Sequence, residues 1–419
     1  MEKEFITTEE LTETVNVTDG KVDSFRENNE TRRTARVYEG GKIGVAGALG
    51  KGDEKAKAEL FIKAEKSLER GVPYVCKLSK NVKAVNRPMA IKDEVFLGSA
   101  KRLAKKAAAA CPNFLVGGKI CRAERKVNYE NSAGADLCYS GSVFECSFLL
   151  KDRKSSNIMD AGYGASTDRY GLTFENGVVE DMRSLHDAYF TKPVKLKDGV
   201  YPMIFGVYDL FGLIIKDFIA EYYVSGGSLF SGKLGQKVFN ENLSVYTDSN
   251  PKTAYLCEFF DAEGEIAPES RGALIDGGVI KNVLASKNGA AEFGLPLIKS
   301  AGASYDGVPA AGLKGLYVKP NFATVAELCE KLKIKKAVYI DTTSGGDITP
   351  DGVFGLPVQL AFLVENGKIT RKIKDFQVSA SAFDIFGKDL LGTTERGVFK
   401  ACRDGKLVVK AKLINQSEE

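Results

Sequence analysis

Histidine is nearly missing from this chain: of 419 residues, only His186 carries an imidazole. Imidazole is both the usual general base near neutral pH and the commonest transition-metal ligand, so any site built on two histidines is excluded. Tryptophan is absent, and the eight cysteines, at 76, 111, 121, 138, 146, 257, 329 and 402, include no Cys-x-x-Cys pair. A zinc ribbon or redox dithiol has no support, and the cysteines read as reduced core residues. No apolar run approaches the ~18 residues that span a bilayer, and Met1-Glu2-Lys3-Glu4 lacks the basic and apolar regions of a secretory leader. A cytoplasmic protein with no membrane partner is expected. Charge of one sign is also scarce, since 59 basic against 55 acidic residues leaves +4, too little to neutralise a phosphate backbone. Nucleic acid is not an expected partner.

What is plentiful is glycine, 43 residues against a usual ~7%, which signals tight turns and antiparallel sheet. With 44% hydrophobic and 27% charged residues the chain should fold, and its length allows roughly two to three domains. Residues 5–49 alternate in short runs broken by Asp19-Gly20 and Glu39-Gly40-Gly41-Lys42, which predicts hairpins. Glu54–Arg70 and Asp93–Ala110 carry apolar residues at helical spacing, such as Leu60, Ala64, Phe96, Ala100 and Leu103. Strand character returns from Arg122 to Leu150 around the Asn131–Gly134 turn. The polar stretch Thr191–Gly199 predicts a boundary. Beyond it, Tyr208–Val224 reads as one long apolar helix, and the rest is mostly strand, including Arg271–Leu284 around Asp276-Gly277-Gly278 and Leu360–Thr370 around Asn366-Gly367. Thr324-Val325-Ala326-Glu327 has the capping-box pattern of a short helix, and Ser300–Gly315 reads as a loop. The expected fold is α+β in two domains: residues 1–192, an antiparallel sheet with helices, and residues 193–419, largely β.

The segment Arg271–Leu284, preceded by Asp261-Ala262-Glu263-Gly264 and Pro268, resembles the C-terminal signature of the TldD/PmbA family, metallopeptidases also labelled modulators of DNA gyrase. The resemblance extends in order through Arg36-Val37-Tyr38 with Gly40–Ala46, Ser228-x-x-Ser231-x-x-Leu234-Gly235-x-x-Val238, and Val364–Ile369. The family pairs a catalytic subunit, TldD, bearing a helical His-Glu-x-x-x-His, with a TldE or PmbA subunit that lacks it. This chain resembles the second. Lys216 and Glu221 stand at the positions of the two histidine ligands and Asp217 at that of the general-base glutamate. An ammonium has no lone pair to offer zinc. The resemblance therefore implies no catalytic, metal or cofactor-binding residues in this chain, with zinc only in a TldD-type partner. It implies a subunit that assembles with a TldD-like chain or with itself and takes unfolded or extended peptides. The alternatives are a non-proteolytic homodimeric peptide-binding or scaffold protein, and a hydrolase with a non-metal nucleophile.

Other candidates have structural readings beside their chemical ones. Asp217 and Glu221 are expected on one helix face, as its solvated or salt-bridged edge or around a hard cation. Ser184, His186 and Asp187 place a hydroxyl, an imidazole and a carboxylate close together without the elbow of a hydrolase. Gly162-Tyr163-Gly164 and Ser344-Gly345-Gly346-Asp347 are expected as loops, turns more than anion cradles. Lys101, Arg102, Lys105 and Lys106 read as a solvated basic helix face. Cys402 sits in a basic context and is not counted as a ligand.

Overall fold

The Asp19-Gly20 dipeptide, with φ of 48° and 75°, supplies the two left-handed residues of a type I′ turn. It joins β1 (Glu2–Thr18) to β2 (Lys21–Glu39), which run antiparallel from Glu2 opposite Tyr38 to Thr18 opposite Lys21. The computed structural model describes residues 1–415. A second hairpin adds β3 (Lys42–Leu49), onto which α1 (Glu54–Ser67) packs. Contact is close enough that a side chain at Gly44 would meet the Ala64 carbonyl, its Cβ 2.2 Å away. The Asp53 carboxylate caps α1, accepting from Ala56 N at 2.9 Å. After α2 (Asp93–Ala110) come β4 (Phe114–Asn131), β5 (Asp136–Asp152) and β6 (Ala161–Thr167), which with the short edge segments Val72–Pro73 and Val82–Asn86 complete an eight-stranded sheet with β1 at its centre. Gly162-Tyr163-Gly164 therefore lies within an edge strand, not a loop, because its backbone pairs with Phe148 and its neighbours.

A helix that the apolar period does not announce, α3 (Leu172–Phe190), follows. It packs on α2, and Val178, Met182 and Leu185 join a buried cluster that continues from the first sheet into the second half of the chain.

The second sheet opens with β7 (Gly199–Gly206), which runs into α4 (Val207–Ile214). The predicted long helix breaks there: a tight turn, Ile215–Phe218, and an extended Ile219 separate α4 from the short α5 (Ala220–Val224). The break has a tertiary cause. Ala220 N donates to the Leu284 carbonyl at 2.9 Å and Leu284 N to the Phe218 carbonyl at 2.6 Å, so this backbone is committed to a strand-like bridge. The signature strand β8 (Arg271–Asp276), then α6 (Lys287–Phe293) and α7 (Val325–Lys331), lie outside the main sheet. Thr324 caps α7 through Glu327 N, while the Glu327 carboxylate reaches back to Ala323 N, one residue before the capping threonine.

The remaining strands are β9 (Lys336–Thr343), β10 (Val353–Glu365), β11 (Lys368–Lys372), β12 (Phe376–Ser381), β13 (Leu390–Arg396) and β14 (Lys406–Asn415). β7 pairs parallel with β9 and antiparallel with β14. Continuing through β10 and β12, the path β7–β9–β10–β12–β14 closes on itself as a ring. Both faces of this sheet are buried. Ala361 and Leu363 point into the core under α4 while Leu360, Phe362 and Val364 join the cluster shared with α3, which is why the run reads as continuously apolar. The fold is α+β, as expected. Among the described residues no helix is long and apolar enough to cross a membrane, and the eight cysteines are all free thiols.

Candidate functional site

The break after α4 puts Lys216 and Asp217 of the degenerate motif on the turn and Glu221 on α5. Lys216 is exposed on the turn, Glu221 is exposed on α5, and Asp217 is 1% exposed. They do not share a helix face, and Asp217 is no solvated edge. Its Oδ1 accepts from Leu229 N at 2.8 Å and its carbonyl from the Ser228 hydroxyl at 2.7 Å, while Oδ2 has no partner. Burial pushes its pKa up, opposed by the Leu229 N–H and the Lys216 charge. Asp217 thus anchors the Ser228-x-x-Ser231 segment. Ser231 continues the work by donating to the Tyr223 carbonyl at 2.8 Å, and Val238 N donates to the Gly278 carbonyl at 3.0 Å. An exposed ammonium, a pinned carboxylate and a carboxylate on a separate helix do not fit zinc, which needs converging lone pairs. Among the described residues no group of three or more His, Cys, Asp or Glu side chains is placed to hold a metal.

The concave feature lies elsewhere. A cleft of about 1090 Å³ opens between the edge strand β6, the start of α4 and the loop before β14. Its chemistry-bearing residues include Asp209, Asp341, Cys402 and Arg403, with Tyr208 and Tyr317 among its aromatic walls. Asp209 closes the first turn of α4, its Oδ2 accepting from Gly206 N at 3.0 Å. Burial, with the Asp209 charge adding to it, raises Asp341 to about 6 against the Thr342 hydroxyl and the Lys406 charge. The Cys402 thiol donates to the Gly164 carbonyl at 3.0 Å, and burial pushes its pKa up, so it is a poor thiolate. Arg271, from the signature strand, stacks on Tyr317 with its guanidinium carbon 3.5 Å from the ring centre and holds Asp248 at 3.2 Å. Acidic, basic and aromatic side chains thus share one opening.

The other sequence candidates are structural. His186 packs between Phe114 and Phe190, its Nδ1 3.0 Å from Asp187 and its Nε2 3.3 Å from Asn113. Ser184 donates instead to the Glu180 carbonyl at 2.9 Å, so no triad forms. Gly345 and Gly346 turn the chain between β9 and β10. Of the basic helix face, Arg102 and Lys106 are paired with buried Glu175, while Lys101 and Lys105 are exposed. Sequence reasoning missed the cleft because Asp209, Asp341 and Cys402 meet only through the ring. The one available signal was Asp209 three residues after Gly206, a helix-start spacing.

The signature residues define the class. Asp261 Oδ1 accepts from Glu263 N and Glu265 N, both at 2.9 Å, and Arg36 of β2 donates to the Ala262 carbonyl, so the motif knits the first sheet to the second half. The family model for the PmbA/TldA metallopeptidase C-terminal domain matches residues 198–410, and the chain belongs to this family. Its fold is that of a crystal structure of TldE from Thermococcus kodakarensis, with a TM-score of 0.80 at 18% identity over 99% of this chain and 97% of that one. A metalloprotease of Archaeoglobus fulgidus is 23% identical over 393 residues, 89% of this chain and 87% of its own. A metalloprotease of Methanothermobacter thermautotrophicus is 28% identical over 166 residues, of which the chain spans about a third of the relative's length (36%).

Proposed function

We propose that this chain is a TldE/PmbA-like subunit of a TldD/TldE-type metallopeptidase assembly acting on unfolded or extended peptides, and is itself non-catalytic. The observation that carries this reading is the fate of the motif positions: Lys216 faces solvent and Asp217 is spent on the Leu229 backbone. The zinc then belongs to a TldD-like partner, and the cleft between β6 and α4 forms part of the peptide chamber. Eight free thiols fit a reducing, cytoplasmic setting.

The test is metal analysis of the purified chain, with casein cleavage measured alone and with a TldD-like chain bearing an intact His-Glu-x-x-x-His. The expected result is no stoichiometric zinc and no cleavage alone, and co-elution with cleavage for the mixture. One equivalent of zinc with chelator-sensitive cleavage by the chain alone would overturn the reading. A stable homodimer that ignores the TldD-like chain would favour a peptide-binding scaffold.

A further inference from the structure

The two halves of the chain meet, away from the cleft, at a buried polar junction whose charges are almost all matched. Arg36 faces Glu4 at 3.3 Å, and Glu4 also accepts from the Tyr38 hydroxyl at 2.9 Å and the Tyr129 hydroxyl at 2.7 Å. Lys287 pairs with Glu265 at 3.0 Å and donates to the Lys77 carbonyl at 2.7 Å. Asp261 is satisfied by three backbone N–H groups. Glu263 differs: it is 1% exposed, and among the described residues no cation lies within ion-pair distance of its carboxylate, although Lys287 Nζ donates to its main-chain carbonyl at 3.2 Å. Its carboxylate accepts from Lys287 N at 3.0 and 3.1 Å and from the hydroxyl of Tyr74, which comes from the first half. That hydroxyl has a second acceptor, the Pro309 carbonyl, at 3.4 Å.

We propose that Glu263 and Tyr74 form a proton-operated latch between the two halves. Protonated, Glu263 donates its O–H to the Tyr74 oxygen and the Tyr74 hydroxyl turns to Pro309. When the proton leaves to solvent, the hydroxyl swings back to the carboxylate, and a buried negative charge remains beside Asp261 with Lys287 already committed to Glu265. That charge is only partly offset by Lys287 and the Tyr74 hydroxyl, and because undocking the Tyr74 segment would rehydrate it, its desolvation loosens the docking.

Burial, with the Asp261 charge adding to it, moves Glu263 from 4.5 up to about 7, against the Tyr74 hydroxyl and the Lys287 N–H and charge. The folded value exceeds the unfolded one, so the junction is tightest in acid and loses stability as pH rises from about 4.5 to about 7.

Hydrogen exchange of the full chain, read by mass spectrometry over residues 72–78 from pH 5.5 to 8.5 and corrected for intrinsic rates, tests this. Protection should fall at least threefold between pH 5.5 and about 7 and level off above that in the wild type, and stay level throughout in Glu263→Gln, whose amide oxygen still accepts from Tyr74 and Lys287 N. Tyr74→Phe, which removes a donor to the ionised form, should move the transition to higher pH. A level wild-type profile, or the same transition in Glu263→Gln, overturns the latch. Should Glu263→Gln fail to fold, an unshifted transition in Tyr74→Phe does so alone.

Discussion

Replacing Glu175 by glutamine isolates the charge that joins α2 to α3. The carboxylate is fully buried, yet it accepts from Arg102 Nε at 3.0 and 3.1 Å and from the Tyr170 hydroxyl at 2.6 Å, with Lys106 Nζ at 2.6 Å. Burial would raise its pKa, but the hydrogen bonds from Arg102, Lys106 and Tyr170 together outweigh it and hold the group at about 2, down from 4.5. Because the folded value is the lower one, the stabilisation is complete above the unfolded value and is lost as pH falls toward 2. At about 1.36 kcal/mol per pH unit the shift corresponds to about 3 kcal/mol. Arg102 and Lys106 are 46% and 41% exposed, and solvent screening of half-exposed cations reduces this to about 2 kcal/mol. Urea unfolding of wild type and Glu175→Gln at pH 7 and pH 3 reads the difference directly. The variant should lose about 2 kcal/mol at pH 7 and less than half of that at pH 3. Equal losses at both pH values would refute the reasoning, since packing and neutral hydrogen bonds, not ionisation, would then be what the variant removes.

Asp217→Ala should cost on the order of 1–3 kcal/mol in urea unfolding by orphaning the half-buried Leu229 N–H, whereas Asp217→Asn, which keeps an acceptor there, should cost less. Equal and negligible losses would mean that Asp217 does not anchor the Ser228 segment. Iodoacetamide on the native chain should label exposed Cys76 first and leave Cys111 and Cys146 untouched, because burial pushes both of the latter thiols up to about 12. Peptide mass spectrometry showing Cys111 alkylated as fast as Cys76 would contradict the burial of that core.

The hairpins, α1, α2 and the signature strand were legible in the sequence because each is decided locally, by turn residues such as Asp19-Gly20 or by a clean apolar stripe. α3 was not, because its buried face carries Glu175 and Asp181. Asp181 is 3% exposed and accepts from Lys400 N, Ala401 N and the Tyr163 hydroxyl, partners that periodicity cannot supply. Tyr208–Val224 failed for the opposite reason. Its apolar run fits one helix, but the backbone at Ile219 bonds to Leu284, and tertiary pairing overrides propensity. The degenerate motif does not line the cleft, whose Asp209, Asp341 and Cys402 are brought together only by ring closure.

Ring closure also sets a timetable for making the molecule. Gly206 pairs with Lys406, so β7 must wait for a partner 200 residues downstream. At a ribosomal pace of about 5–20 residues per second that interval is roughly 10–40 s, during which one edge of β7, carrying Met203, Ile204 and Phe205, stands open. A nascent chain in this state offers an unpaired apolar edge to its neighbours on the same messenger. Output of intact protein is then governed by whatever shields residues 199–206 until β14 emerges, and slowing translation between the two strands should lower the yield of folded chain more than slowing it after Asn415.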